Sequence, residues 1–256
     1  MESKINQLLQ QWPKGTVATA SWLTAHGVYR QLVRRYLSSG WLQSLGRGAY
    51  LRAGDSADWL GGLYALQRQL GMSIYAGAST ALALKGQGHY LPLGGKSAVI
   101  LFSEHRTRVP GWFKQHAWGV RLQYHCPELF NQSLPSGFTE VKREGFSVRA
   151  SAPERAILEV LHLAMNNVAI EHAVELMDGL STLRPAVLQA LLEACQSVKV
   201  KRLFLWAAEA AGHDWFARLA LKRVDLGKGK RHLYHGGHFD PKYKITVPKQ
   251  EGSPRV

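Results

Sequence analysis

No aspartate or glutamate occurs between Glu2 and Asp55, although the same stretch holds seven lysines and arginines. Ordinary solvated helix faces mix charges of both signs. A face bearing cations alone points instead to an anionic partner. Cysteine is scarce: only Cys126 and Cys195 are present, without a C-x-x-C pair, which excludes a disulfide scaffold and a cysteine zinc site. Both are expected to be buried, reduced thiols. No apolar run reaches the length of a membrane span. The opening Met1-Glu2-Ser3-Lys4 lacks the charged, apolar and small-residue regions of a secretion signal, so a cytoplasmic protein without membrane contact is expected. Finally, no aspartate stands between Asp58 and Asp178, which removes a carboxylate that several hydrolytic and nucleotidyl-transfer sites require.

What is present is a 256-residue chain, 46% hydrophobic, with a formal charge of +14 and a pI near 10.0. Its apolar content suffices for packed cores, and its charge suits a polyanion, because clustered Lys and Arg release counterions from nucleic-acid phosphates. Residues 1–55 carry seven Lys/Arg against two acids, 56–217 fifteen against thirteen, and 218–256 ten against three. The ends are basic and the middle is nearly balanced.

The apolar periodicity and turn residues predict an α+β fold. Ser3 can cap a first helix through Gln11, with Ile5, Leu8, Leu9 and Trp12 on its apolar side, ended by Pro13-Lys14-Gly15. Thr19 can cap a short helix, Ala20 to Ala25, stopping at Gly27. A third helix runs from Val28 to Ser39. Trp41–Leu45 and Ala49–Arg52 then read as strands around the turn Gly46-Arg47-Gly48. Three helices and a hairpin make a winged helix-turn-helix, whose third helix enters a major groove.

Gly54-Asp55-Ser56 is the expected boundary between this domain, 1–55, and a C-terminal domain over 56–256. The latter divides into an α+β part (56–150), a helical part (151–217) and a basic tail (218–256). Within it, helices are expected at Ala57–Leu70, Ser79–Leu84, Val168–Met177, Pro185–Cys195 and Val200–Ala211. A further helix is capped by Ser151, with Glu154 closing a capping box. Strands are expected at Ser73–Ala76, Ser97–Phe102, Gly119–Tyr124, Leu233–Tyr234 and Lys244–Val247. A hairpin pairs Phe138–Val141 with Phe146–Arg149.

At 100° per residue, Val28, Tyr29, Leu32, Val33, Tyr36 and Leu37 occupy one half of the third helix, and Arg30, Gln31, Arg34, Arg35 and Ser38 the other. Arg and Gln are the side chains that pair bidentately with guanine and adenine edges. Arg30, Gln31, Arg34 and Arg35 are therefore placed in or along a major groove, with Ser38 beside them. Arg47 is placed at a phosphate or the minor groove, and Tyr29 packs on the second helix or donates to a phosphate.

Other motifs carry less. Gly94–Val99 ends like a phosphate-binding loop, but Tyr90 stands where the pattern needs glycine, so Lys96 merely precedes a strand. Gly77–Ala81 resembles a nucleophile elbow except at Ala81, and Ser79 reads as a helix cap. Glu140 and Lys142 match half of a restriction-nuclease motif whose first carboxylate is missing. His232, His235, His238 and Asp240 have a spacing that scatters them on a strand, so no metal site is expected, and no cofactor either. Lys222, Arg223, Lys228, Lys230 and Arg231 in the tail can extend DNA contact, engage RNA or meet an acidic protein; charge alone does not choose.

The Arg-rich helix followed by "GRGAY", then "ASTALALKG", "SAPERAILEVL", "RLFLWAAEAAGHDWFARL", "KRVDLGKGKR" and "YKITVP", in that order, resembles the AbiEi-like antitoxins of bacterial type IV toxin–antitoxin systems, which limit phage by abortive infection. The resemblance runs from about Ile5 to Pro248. It implies a non-enzymatic protein whose winged helix represses its own promoter at inverted repeats in double-stranded DNA. It also implies a C-terminal antitoxin domain that neutralises a cognate nucleotidyltransferase toxin without requiring a stable complex. Carried over by position, Arg30, Gln31, Arg34, Arg35 and Arg47 face the DNA. The alternatives are a stand-alone winged-helix regulator with a sensing domain, or a winged-helix nuclease using Glu140 and Lys142.

Overall fold

The computed structural model describes residues 4–87 and 98–248. Ser3, Tyr90, Lys96 and the tail beyond residue 248 lie outside them. Among the described residues no helix is long and apolar enough to cross a membrane.

Helix α1 (Lys4–Gln11) buries Ile5 and Leu8. After the Pro13-Lys14-Gly15 turn, two residues form β1 (Ala18–Thr19) and lead directly into α2 (Ala20–Ala25). Thr19 serves both elements, since its hydroxyl accepts the Trp22 N–H at 3.2 Å as the cap of α2. Gly27, at φ 73°, turns the chain into α3 (Arg30–Ser38). The hairpin of β2 (Leu42–Gly46) and β3 (Ala49–Arg52) follows, with a bulge between Ser44 and Gly46. β1 adds to β3, giving the sheet order β1-β3-β2. This is a winged helix, and its core joins Ile5, Leu8, Trp12, Ala18, Leu23, Val28, Val33, Tyr36 and Leu42. β1 was not among the expected strands. Two residues carry no alternation to read, and the strand is completed from afar by Gln69, whose side-chain amide accepts Thr19 N–H and donates to Val17 O, each at 2.8 Å.

Helix α4 (Trp59–Tyr64), capped by Asp58, continues into a wider π-type turn over residues 65–69. Next come β4 (Ile74–Ala76), α5 (Ala78–Leu84), β5 (Ala98–Ser103), α6 (Gly111–Gln115), β6 (Arg121–His125), β7 (Phe138–Arg143) and β8 (Phe146–Ser151). The five strands form one mixed sheet in the order β6-β5-β4-β8-β7. The chain then becomes helical: α7 (Pro153–Leu163), α8 (Asn167–Asp178), α9 (Pro185–Ala194) and α10 (Val198–Ala211). It ends in the hairpin of β9 (His238–Asp240) and β10 (Ile245–Val247). The α+β class and the progression from winged helix through mixed to helical structure are as expected.

By contacts the chain divides into two compact units. One comprises Met1–Ala76, Pro92–Cys126 and Glu140–Ala150; the other comprises Gly77–Leu91, Pro127–Thr139 and Ser151–Val256. In the first, α4 lies against the turn after α1. A Cβ on Gly61 would fall 1.9 Å from Gly15 O, and Phe113 and Trp118 cover Gly62.

In the second unit, two expected caps are replaced. Ser151 ends β8 and Ala152 is the N-cap of α7, followed by Pro153, which has no N–H to satisfy. The Ser151 hydroxyl instead donates to buried Glu159 at 2.8 Å. Gly77, not Ser79, is the N-cap of α5, and the Ala78 N–H also goes to Glu159, at 2.9 Å. One carboxylate on α7, held as well by Arg155 at 2.9 Å, thus takes both the first N–H of α5 and the hydroxyl that was expected to cap α7. Glu154 reaches Arg184, with the Nε–Oε1 distance 2.9 Å. Leu233 and Tyr234 form no strand, because both N–H groups go to the Thr246 hydroxyl. Cys195 is buried as expected, but Cys126, following edge strand β6, is exposed.

Candidate nucleic-acid interface

The angular partition of α3 holds for its helical residues. Val33 and Tyr36 are buried, and Leu32 and Leu37 pack on the same core. Arg30, Gln31, Arg34, Arg35 and Ser38 are all exposed. Tyr29 departs from the expected pattern: it is the N-cap, with extended backbone, and is 60% exposed. The 100° step does not apply to a residue outside the helix, so Tyr29 stands clear of the core instead of packing beside Val28, which is fully buried.

The charges on this face are uncompensated. Among the described residues Arg30, Arg34, Arg35 and Arg47 have no carboxylate within ion-pair distance. Arg52, the remaining arginine of the first 55 residues, is spent on structure: it donates to Asp55 at 3.1 Å and to Trp12 O at 2.6 Å, and lies over the Trp12 ring. Asp55, the first acid after Glu2, is thereby consumed, and it also accepts the Gly15 N–H. The Ser38 hydroxyl is turned back onto Arg35 O at 2.9 Å.

The wing projects Arg47 from a two-glycine turn. Gly48 adopts φ 78°, a left-handed conformation that glycine takes without strain, and its carbonyl accepts the Ala20 N–H at 2.9 Å. That bond ties the wing to the start of α2.

In the other unit, Lys222, Arg223, Lys228, Lys230 and Arg231 are all exposed. They are not equivalent: Arg223 is paired with Glu193 at 2.9 Å, and Lys230 stands 5.0 Å from the Phe239 ring. The loop carrying Lys228 and Lys230 is shaped by a residue that sequence reasoning missed. Arg202, 1% exposed on α10, donates to the carbonyls of Leu226, Gly227, Gly229 and Lys244. The available signal was an arginine inside the apolar run of "VKVKRLFLW", since a buried guanidinium must find acceptors.

Of the nuclease-type residues, Lys142 is exposed and Glu140 lies in a different setting. A cavity of about 320 Å³ is lined by Arg68, Glu104, Glu140 and Arg149, among others. Each carboxylate meets a guanidinium, Glu140 with Arg68 at 3.1 Å and Glu104 with Arg149 at 3.3 Å, and Ser147 donates to Glu140. No group of three or more His, Cys, Asp or Glu able to hold a metal occurs among the described residues. The backbone of His235 is instead clasped by the Asn167 amide. Burial pushes the Cys195 thiol up, which keeps it protonated and unreactive.

Two family models cover the chain. The N-terminal model, described as "Transcriptional regulator, AbiEi antitoxin N-terminal domain", matches residues 1–93. The second, "Transcriptional regulator, AbiEi antitoxin, Type IV TA system", matches residues 96–248. The chain belongs to the AbiEi antitoxin family. The first AbiEi model ends at residue 93, so it takes in the winged helix and the elements through α5. Among solved structures, the AbiEi-family chain resembles the crystal structure of the RV2827C protein from Mycobacterium tuberculosis, with a TM-score of 0.57 at 16% identity over 95% of this chain and 89% of the other. That likeness is one of fold. No curated protein matches the sequence.

Proposed function

We propose that this AbiEi-family protein is a non-enzymatic, cytoplasmic antitoxin and autorepressor. Its 1–55 winged helix reads inverted repeats in the double-stranded DNA of its own promoter, and the remaining chain, 56–256, neutralises a nucleotidyltransferase toxin encoded beside it. The observation that carries the DNA half is the exposed face of α3, where three arginines and a glutamine stand with no carboxylate within ion-pair distance among the described residues. Arg30, Gln31, Arg34 and Arg35 supply groove contacts. Arg47 supplies a phosphate or minor-groove contact, and Tyr29 and Ser38 flank them. Inverted repeats imply two copies on one operator. Lys222, Arg223, Lys228, Lys230 and Arg231 form the polyanion or partner contact of the antitoxin part.

Two experiments separate the halves. A reporter driven by the operon's own promoter should be repressed by the full chain and derepressed when Arg34 and Arg35 are changed to alanine. Co-expression with the neighbouring toxin should restore growth. Failure to relieve the arrest removes the antitoxin claim and leaves a winged-helix regulator.

A further inference from the structure

A second acid-free stretch lies far along the chain. From His105 to Pro127 there is no aspartate or glutamate, while Arg106, Arg108, Lys114 and Arg121 all fall within it. All four are exposed, and none has a carboxylate within ion-pair distance among the described residues. The acid that precedes the stretch, Glu104, is held by Arg149. These four cations are therefore as uncompensated as the arginines of α3.

It is also fixed to the wing. Gly46 closes β2 and opens the wing turn, and a Cβ built on it would fall 2.9 Å from Trp112 Cβ and 3.3 Å from Trp112 Cα. Only glycine lets the two backbones approach this closely. Trp112 belongs to α6, which is anchored by fully buried Phe113; the Phe113 ring meets Trp118, and the Trp118 indole N–H donates to Phe113 O at 2.7 Å. One side of α6 is thus locked beside the wing tip, and Lys114 and Gln115 are exposed. Arg106 and Arg108 sit on the exposed segment that leads into α6.

We propose that Arg106, Arg108 and Lys114 form a phosphate-contacting strip that carries the DNA footprint past Arg47, beyond the wing. The proposal rests on the reading of α3 and the wing as a DNA-binding surface. Duplex DNA presents a negative charge about every 1.7 Å of its axis, so a rigid cationic extension of the wing meets further phosphates of the same duplex. Lys and Arg used this way add affinity and orientation without reading sequence.

The test compares full-length wild type, Arg34→Ala/Arg35→Ala and Arg106→Ala/Arg108→Ala/Lys114→Ala on the operon's upstream duplex and on a scrambled duplex, over a range of salt. The triple variant should lower the log–log salt slope by up to about 2.7, at about 0.9 per lost phosphate contact. It should leave the ratio of operator to scrambled affinity unchanged and shorten the hydroxyl-radical footprint at the wing-side edge. The Arg34/Arg35 variant should instead lose the ratio. Lys114→Glu alone, whose side chain holds no bond among the described residues, should weaken both duplexes alike with an unchanged melting temperature. Wild-type slope and footprint in both the triple variant and Lys114→Glu would overturn the strip while leaving the α3 reading intact. Absence of duplex binding by the wild type at low salt would overturn both.

Discussion

Gly61 and Gly15 meet backbone to backbone, so closely that a Cβ on Gly61 would stand 1.9 Å from the Gly15 carbonyl oxygen and 3.1 Å from Thr16 Cα. The contact joins the helix after the wing to the turn after α1. Neither partner can yield, because Thr16, Val17 and Leu60 around it are buried. Gly61→Ala is therefore expected to cost about 2–3 kcal/mol by overpacking, seen as a fall in Tm of roughly 5–10 °C. Gly71→Ala tests the opposite case. No atom lies within 4 Å of its Cβ position, but its φ is 62°, so it should lose only about 1–2 kcal/mol of backbone strain energy.

Arg47 and Arg52 lie five residues apart and should behave differently. Arg47 is exposed and holds no carboxylate among the described residues, so Arg47→Ala should leave stability within about 0.5 kcal/mol and reduce the DNA salt slope by about 0.9. Arg52 ties Trp12 O and Asp55 together. Arg52→Ala should cost about 1–3 kcal/mol and leave the slope unchanged. Chemical denaturation and fluorescence anisotropy on the same preparations check both.

The Glu154–Arg184 pair predicts an acid limb of stability. Burial alone would raise the Glu154 carboxyl, but side-chain and backbone hydrogen bonds from Arg184 outweigh it and hold the group below its ordinary 4.5. A depressed folded pKa stabilises the fold above the unfolded value, and the contribution is lost as pH falls through the folded one. Arg184→Ala leaves the backbone donor in place, because the N–H of residue 184 also reaches Glu154, at 2.8 Å. Its cost should thus be about 1–2 kcal/mol above pH 5, shrinking toward zero as Glu154 protonates. Urea titrations from pH 3 to pH 7 measure it.

Arg202 should prove more sensitive than any lysine of the basic tail. Its guanidinium satisfies four carbonyls from within the core, and Arg202→Met would leave them without that donor. A loss of about 3–5 kcal/mol is expected, together with faster proteolytic cleavage near Gly227–Gly229. Lys228→Ala, at an exposed position, should be neutral for stability.

The winged helix was legible because its signals are local. The sorting of α3 by angle, the Thr19 cap and the Gly-Arg-Gly turn each lie within a few residues, and Val33, Tyr36 and Arg34 take the faces that the 3.6-residue period assigns. The misread features depend on partners distant in sequence. β1 depends on Gln69, some fifty residues away. The caps expected of Ser151 and Ser79 gave way to Ala152 and Gly77, with Glu159 taking the Ala78 N–H, a partner that a helical wheel of α7 alone cannot reveal. Helix α6 is only five residues long and has no amphipathic repeat, yet it positions the wing through Trp112. The wheel extended the helix past its true cap, and so put Tyr29 with the apolar residues although it is exposed.

The central claim is that the cation-only face of α3 reads DNA. Its most direct test is the equilibrium affinity of the full-length protein for the duplex upstream of its own operon, against a scrambled duplex, with Arg34 and Arg35 intact or changed to alanine. Wild type should prefer the operator by about 10³-fold or more at physiological salt, and the double variant should lose most of that preference while keeping its melting temperature. Equal affinity of the folded variant and wild type for the operator would contradict the claim.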